Sequence, residues 1–380
     1  MVWRCSPLRG TSDTEQMTDF RVRRDSLETV EFAEGVSGDA GQIGPGEALL
    51  RVDAFSFTAN NISYATFGDF MSYWNFFPAE DGWGRIPVWG FADVVASECE
   101  GVEVGQRFYG YLPMSSYLVV TPGNVTTSGF SDFAAHRKEL HSIYNSYMLT
   151  SADPTYDAAL EGEIMLLRPL FSTSFLIDDF FDDNGWFGAE AVVMSSASSK
   201  TAYGTAFMLA RRDGVKVIGL TAAGNVEFVE RLGLYDQVLS YHEIGELDTD
   251  VPIAYIDFSG DAGVRAAIHN QLGDALVYDS AVGATHIDAL GGADGLPGPA
   301  PVLFFAPAQA KKRSDDWGSD GLIERISVSL DEFIAFVADP ANKLLKIEHS
   351  SGQEAVEQVY LDVLKGRAAP DAGSILSLPA

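Results

Sequence analysis

AVVMSSASSKTAYGTAFMLARRDGVKVIGLT, residues 191–221, opens on a short unbroken apolar run, passes through a cluster of small hydroxylated residues, and turns amphipathic. A short apolar run bounded by turn formers reads as a buried strand, and apolar residues recurring every three to four positions read as a helix. AVVMSSA is therefore predicted as a strand, KTAYGTAFMLARRDG as a helix and VKVIGL as a second strand. The alternation continues with helix NVEFVERLG, strand QVLSY, strand IAYIDFSG, helix DAGVRAAIHNQLG, strand ALVYDSAVG and strand PVLFFAP. Strands separated by helices in this way build a parallel, doubly wound sheet. Just upstream, STSFLIDDFFDDNGWFG reads as a helix with Gly at its end.

The flanking sequence has another grammar. From Phe20 to about Val120 short β-rich runs such as ALLRVDAFSFTA, VWGFADVVAS, GQRFYGY and SYLVV are punctuated by Gly and Pro, the pattern of a barrel-like domain. Residues 121–165 lose this periodicity and read as an inserted helical or loop segment over a site or interface. The tail, with helix SLDEFIAFVAD, strand LLKIEHSSG, helix QEAVEQVYLDVLKG and strand SILSL, returns to the first grammar. The expected organisation is a loose leader over 1–19, a β-rich domain made of 20–165 and 330–380, and a Rossmann-type domain over 166–329 inserted between its two parts.

The 380 residues are 46% hydrophobic and 12% aromatic, enough for two cores. A formal net charge of −29 repels nucleic-acid backbones and anionic lipid, so no nucleic-acid or membrane partner is expected, and an anionic cofactor needs a local positive or dipolar pocket. Cys5 and Cys99 are the only cysteines and form no metal-ligand spacing with any His, which excludes a structural zinc. The opening MVWRCSPLRGTSD lacks the apolar core of a secretory signal, and no run approaches the ~20 apolar residues of a membrane span. A reduced, cytoplasmic protein is expected. His136, His141, His242, His269, His286 and His349 are scattered, and G-x-S-x-G is absent, which argues against a hydrolase.

Four segments carry a family likeness over most of residues 45–380: GEALLRVDAFSFTANNISYATFGD, WGFADVVASECEGVEVGQRFYGY, the 191–221 stretch with the downstream RLGLYDQVLSY, and the closing EHSSGQEAVEQVYLDVLKGRAAPDAGSILSL. The chain resembles the medium-chain dehydrogenase/reductase superfamily, closest in style to its zinc-free quinone oxidoreductases and enoyl reductases. Wording such as ANNISYATFGD, RIPVWGFADVV and SSASSKTA is similar to an uncharacterised bacterial domain-of-unknown-function subgroup. The resemblance implies an α/β protein: a GroES-like barrel domain plus a doubly wound Rossmann-type domain, binding NADP(H) and pairing as a homodimer through the edge strand PVLFFAP. Zinc ligands of the metal-dependent members are missing. The glycine turn usually written A-x-x-G-x-x-G is also altered, to Ser195-Ser196-Ala197-Ser198-Ser199-Lys200-Thr201-Ala202.

Cofactor contact is expected at Ser196, Ala197, Ser198, Ser199, Lys200 and Thr201, where a helix N-terminus offers free amides, the hydroxyls add donors and Lys200 adds a charge. The alternative is a turn that merely caps the helix through Ser198 or Ser199. Thr221 stands where the family discriminates the adenosine ribose. The segment Thr221–Asn225 holds no acid, which favours NADPH, and no Arg or Lys, so Lys200 or a residue from elsewhere would have to meet a 2′-phosphate. Ser259 and Gly260, and Val282 and Gly283, end strands where the cofactor crevice should lie, while Asp257 and Asp279 read as polar strand ends. Tyr64 and Asn60 are the catalytic candidates, Tyr64 as proton or hydrogen-bond donor and Asn60 to orient a carbonyl or the nicotinamide; Tyr64 is as readily a core filler. Tyr73, Trp74, Phe76, Phe77, Trp83 and Trp89 either wall an apolar pocket or form core or interface. Arg168 either anchors an anionic group or pairs with a nearby acid. The reading is an NADPH-dependent, metal-independent reductase of an enone, quinone or enoyl thioester, with a degenerate, non-catalytic scaffold as the alternative.

Overall fold

The computed structural model describes residues 17–282, 295–342 and 344–379. The β-rich lobe starts with the antiparallel pair β1 (Thr18–Arg23) and β2 (Ser26–Glu34), so ordered strand begins inside the stretch expected to be leader, with Thr18 and Asp19 buried. β3 (Ala48–Phe57), helix α1 (Ala59–Thr66) and the two-residue β4 (Trp83–Gly84) follow. Next come β5 (Pro87–Ser97), β6 (Arg107–Pro113), β7 (Tyr117–Val120), β8 (Pro122–Thr126), β9 (Gly129–Asp132) and β10 (Ser146–Leu149). β3 is the spine, antiparallel to both β5 and β7, and it sends Val52, Phe55 and Phe57 into a core shared with Val88, Tyr111 and Leu112. The start of α1 is fixed by a capping box: Asn61 Oδ1 accepts the Thr58 N–H at 2.8 Å, and Thr58 Oγ1 accepts the Asn60 N–H at 3.2 Å.

Residues 121–165 differ from the expected helical or loop cover. β8, β9 and β10 continue the barrel sheet in the order β5-β6-β10-β9-β8. Each is only four or five residues long, too short for an alternating pattern to stand out in sequence. Gly129, at φ 145°, permits the tight pairing, since a Cβ there would lie 2.0 Å from the Tyr147 carbonyl oxygen.

Helix α2 (Glu161–Asp183) leads into the second lobe. Pro169 lies inside it and has no N–H for the Met165 carbonyl four residues earlier. Ser56 of β3 supplies the missing donor, its hydroxyl reaching that carbonyl at 2.9 Å and tying the barrel to the helix. The 165/166 boundary thus falls inside α2.

The second lobe contains β11 (Ala191–Met194), α3 (Lys200–Leu209), β12 (Lys216–Thr221), α4 (Val226–Leu232), β13 (Gln237–Ser240), β14 (Ile253–Asp257), α5 (Ala262–Leu272), β15 (Leu276–Ala281) and β16 (Val302–Leu303). All strands are parallel, in the order β13-β12-β11-β14-β15-β16. One face buries Val192, Met194 and Ile256 against Ala206 and Leu209 of α3; the other buries Val193, Leu220 and Tyr255 with Ile268 and Leu272 of α5. PVLFFAP supplies only the two residues of β16, because α6 (Ala306–Trp317) starts at once with Pro in its first turn. α7 (Ser319–Ala338) contains the 329/330 boundary and extends well ahead of the SLDEFIAFVAD stretch. β17 (Lys346–Ser351), α8 (Gln353–Leu364) and β18 (Ala372–Ser377) return to the barrel, where β18 pairs with β3 and Ser374 faces Phe57. No helix among the described residues is long and apolar enough to cross a membrane.

Candidate functional site

β11 and β14 are neighbours, yet α3 leads from β11 toward β12 while α5 leads from β14 toward β15. The chain therefore leaves two adjacent strands in opposite directions, the switch point at whose carboxyl ends doubly wound sheets place their ligand crevice. The glycine-free turn 195–199 forms one lip of it and residues 258–261 the other.

Ser195, Ser196, Ala197 and Ser198 are each held by a side chain distant in sequence. Ser195 donates its hydroxyl to Asp257 Oδ1 at 2.8 Å. Ser196 adopts a left-handed conformation, φ 48°, that a glycine would take without strain, and its N–H donates to the Tyr241 hydroxyl at 2.8 Å. Ala197 is fully buried: its N–H reaches the Leu220 carbonyl at 3.0 Å, and its own carbonyl accepts the Tyr235 hydroxyl at 2.9 Å. Gly219 makes room for it, because a Cβ there would stand 3.0 Å from the Ala197 Cβ. Ser198 Oγ accepts from Thr221 Oγ1 at 3.3 Å and Asn225 Nδ2 at 3.1 Å. Ser199 caps α3, its hydroxyl accepting the Ala202 N–H at 3.3 Å. The capping alternative thus holds for Ser199, while Ser198 faces Thr221 and Asn225.

Past the cap, the amides of Lys200 and Thr201 begin the helix, where α-helical geometry leaves N–H groups without intrahelical acceptors. α3 comes close to α2 at this end. Ser174 of α2 donates to the Thr201 carbonyl at 2.8 Å, and a Cβ on Gly204 would fall 2.8 Å from Ser174 Oγ. Lys200 does not project as a free charge into the crevice. Its ammonium donates to the Pro370 carbonyl at 3.2 Å, in the loop before β18, and burial lowers its pKa to about 8 against the opposing pull of Asp371. Thr221 is buried at the end of β12. Ser259 and Gly260 bond the Asp257 carboxylate, and the Val282 N–H donates to the Asp257 carbonyl at 2.9 Å. Gly283 lies outside the described residues.

The catalytic candidates lie in the barrel lobe. Tyr64 is buried on α1, its ring 4.6 Å from Tyr73, 5.7 Å from Tyr111 and 6.3 Å from Tyr144. Burial, reinforced by Tyr73, pushes its hydroxyl well above the ordinary tyrosine range, with Trp89 and Asn60 opposing, so it stays protonated. Asn60 is half-buried one turn earlier on the same helix. None of the ring contacts of Tyr64 reaches the 195–199 turn. Trp74, Phe76 and Phe77 are barrel core, and Trp74 fills space that Gly68 and Gly84 leave open. Trp89 stacks on Tyr109 at 5.5 Å. Arg168 takes the acid-paired alternative, its Nη2 2.6 Å from Asp153 Oδ2 and its guanidinium 5.0 Å over Tyr109.

Sequence reasoning passed over Tyr235, Tyr241, Asn225, Arg265 and His269. His269 stood in sequence only as one of six scattered histidines, and Asn225 only as the end of the acid-free segment 221–225. Among the described residues no three His, Cys, Asp or Glu side chains converge as metal ligands.

A family model described as "Protein of unknown function (DUF2855)" matches residues 55–369. No curated protein matches the sequence. Solved structures share the fold at low identity. CurA from Vibrio vulnificus, in complex with NADPH, is 12% identical with a TM-score of 0.61, covering 96% of this chain and 99% of its own. The quinone oxidoreductase from Coxiella burnetii is 13% identical with a TM-score of 0.52, covering 95% and 99%. The YhdH oxidoreductase from Salmonella enterica, in complex with NADP, is 12% identical with a TM-score of 0.51, covering 95% and 99%. The fold is thus that of the medium-chain dehydrogenases and reductases, with a β-rich lobe joined to a Rossmann-type lobe.

Proposed function

The chain belongs to the DUF2855 family, and we propose that it is an NADPH-dependent, metal-independent reductase of an activated double bond or carbonyl: an enone, a quinone or an enoyl thioester. The observation that carries this reading is the first turn of α3 at the switch point between β11 and β14, capped by Ser199 and lined by hydroxyls. Two neighbours of the same fold were solved with NADPH or NADP, which supports the same cofactor here.

The donor set fits a dinucleotide. Amides of Lys200 and Thr201 and the hydroxyls of Ser198 and Thr201 suit a pyrophosphate, and Asn225 suits a hydrogen bond to an adenosine ribose, while Thr221, buried and bonded to Ser198, backs the turn. When bound, a reduced nicotinamide supplies hydride. This chain's part is then to hold the substrate against it, keep water out and hold a proton ready. Tyr64 suits a hydrogen bond donated to the substrate, since burial keeps its hydroxyl protonated and opposes loss of the proton, and Asn60 suits the orientation of a carbonyl. The exposed edge formed by Val302, Leu303 and Phe305 supports a homodimer built by pairing β16 with its copy, in a cytoplasmic enzyme.

The test is calorimetric titration with NADPH and NADH, on the wild type and on Lys200→Ala. Binding of NADPH is expected, and because the Lys200 ammonium is held by the Pro370 carbonyl the variant should weaken it only slightly; binding justifies assays with enones, quinones and enoyl thioesters. A second reading, a non-catalytic binding or scaffold protein, is favoured by one observation: the Ser196 N–H is already taken by Tyr241. Binding of neither nucleotide would move that reading to first place.

A further inference from the structure

Asp257, the last residue of β14, has no solvent exposure, and its two carboxylate oxygens serve different parts of the lobe. Oδ1 accepts from Ser195 Oγ at 2.8 Å, from the Ser259 N–H at 2.9 Å and hydroxyl at 2.8 Å, and from the Gly260 N–H at 3.0 Å. Oδ2 accepts from Arg265 Nη2 of α5 at 2.6 Å. Ser195 in turn accepts the N–H groups of Phe258 at 3.0 Å and Ser259 at 3.1 Å. One carboxylate and one hydroxyl therefore cross-link the two lips of the crevice.

α5 repeats the arrangement one strand over. His269, four residues after Arg265, meets Asp279 Oδ2 of β15 through Nε2 at 2.9 Å, while its Nδ1 lies 2.7 Å from the Pro297 carbonyl. Arg265 Nε stands 3.9 Å from the same Asp279 oxygen, so the guanidinium faces both carboxylates. Burying a carboxylate is costly unless it is paired and hydrogen-bonded, and an apolar residue would end a parallel strand at lower cost. Arg265 alone would satisfy the pairing. The donors on Oδ1 all come from the two segments that carry the backbone along the crevice.

We infer that Asp257 is a positioning residue of the cofactor crevice, fixing through Ser195 and Ser259 the separation of segments 195–199 and 258–261; the inference rests on the nucleotide-binding reading above. Asp257 touches no ligand itself. Its link makes the crevice preformed, so that binding does not have to order the two lips.

Hydrogen exchange on the ligand-free protein and NADPH titration test this together, using Ser195→Ala, Ser259→Ala and the conservative Ser195→Thr. In Ser195→Ala the amides of residues 258–260 should exchange about tenfold faster, and NADPH should bind about tenfold more weakly. Ser259→Ala should move both readouts in the same direction, and Ser195→Thr, which keeps the hydroxyl, should restore both. Wild-type affinity in both alanine variants, even with a lowered Tm, would overturn the positioning role and leave Asp257 a structural ion-pair partner. Unchanged exchange at 258–260 would overturn the link itself. A wild type that binds no nucleotide would instead sink the reductase reading, and this inference with it.

Discussion

Lys200 gives the sharpest quantitative prediction. Its ammonium lies between α3 and the loop before β18, bonded to the Pro370 carbonyl, and burial holds its pKa at about 8 against an ordinary value of 10.5. A lysine whose folded pKa lies below its unfolded one binds fewer protons in the folded state. The unfolding free energy therefore rises with pH between about 8 and 10.5, as the folded protein sheds a charge that burial disfavours. Each pKa unit corresponds to about 1.4 kcal/mol, so the full relief is about 3 kcal/mol, trimmed to roughly 2 kcal/mol because the residue as a whole is only half-buried. Lys200→Met removes the titration and keeps the stem. Urea unfolding of both proteins from pH 7.5 to 10.5 should show the wild type gaining about 2 kcal/mol relative to the variant across that window. Parallel stability curves for the two proteins would refute the placement of this ammonium in a desolvated junction between the lobes.

Other consequences are local. Ser56→Ala leaves the Met165 carbonyl, already deprived of its helix partner by Pro169, without a donor, and should cost about 1–2 kcal/mol in urea unfolding; a neutral result would mean water replaces the hydroxyl. Gly204→Ala pushes a methyl to 2.8 Å from Ser174 Oγ and should destabilise by about 1–3 kcal/mol, part of which Ser174→Ala should restore in the double variant. Tyr241→Phe removes the hydroxyl that holds the left-handed Ser196, and restoring freedom to that position with Ser196→Gly should recover about 1 kcal/mol in thermal unfolding.

The alternation of strands and helices from Ala191 onward was legible because each buried strand is a short apolar run and two of the helices have a clear end, Gly233 for α4 and Gly273 for α5. The barrel strands β8 to β10 were not, since four or five residues show no period. Helix α6 was hidden for a different reason: APAQAKKRSDDW is polar nearly all round, and ion pairs such as Arg313 with Asp179 hold it to α2.

The candidate site divides along the same line. Its position in the chain followed from the strand–turn–helix order, but the absence of glycine at 195–201 left open whether the turn could form at all. The structure answers through residues distant in sequence: Tyr241 lies 45 positions from Ser196, and Asp257 lies 62 from Ser195. Glycine makes such a turn accessible by leaving the backbone free, and its fingerprint is local and therefore readable. A turn of Ser and Ala reaches a related path only if side chains from neighbouring strands pin it, and those partners carry no signature in sequence. The pinning has a functional consequence. A glycine turn adjusts to a phosphate as it arrives, whereas this one is set beforehand by Tyr235, Tyr241, Thr221, Asn225 and Asp257. Its affinity for a dinucleotide should therefore respond to substitutions at Tyr235, Tyr241, Thr221 and Asp257, none of which need touch the ligand.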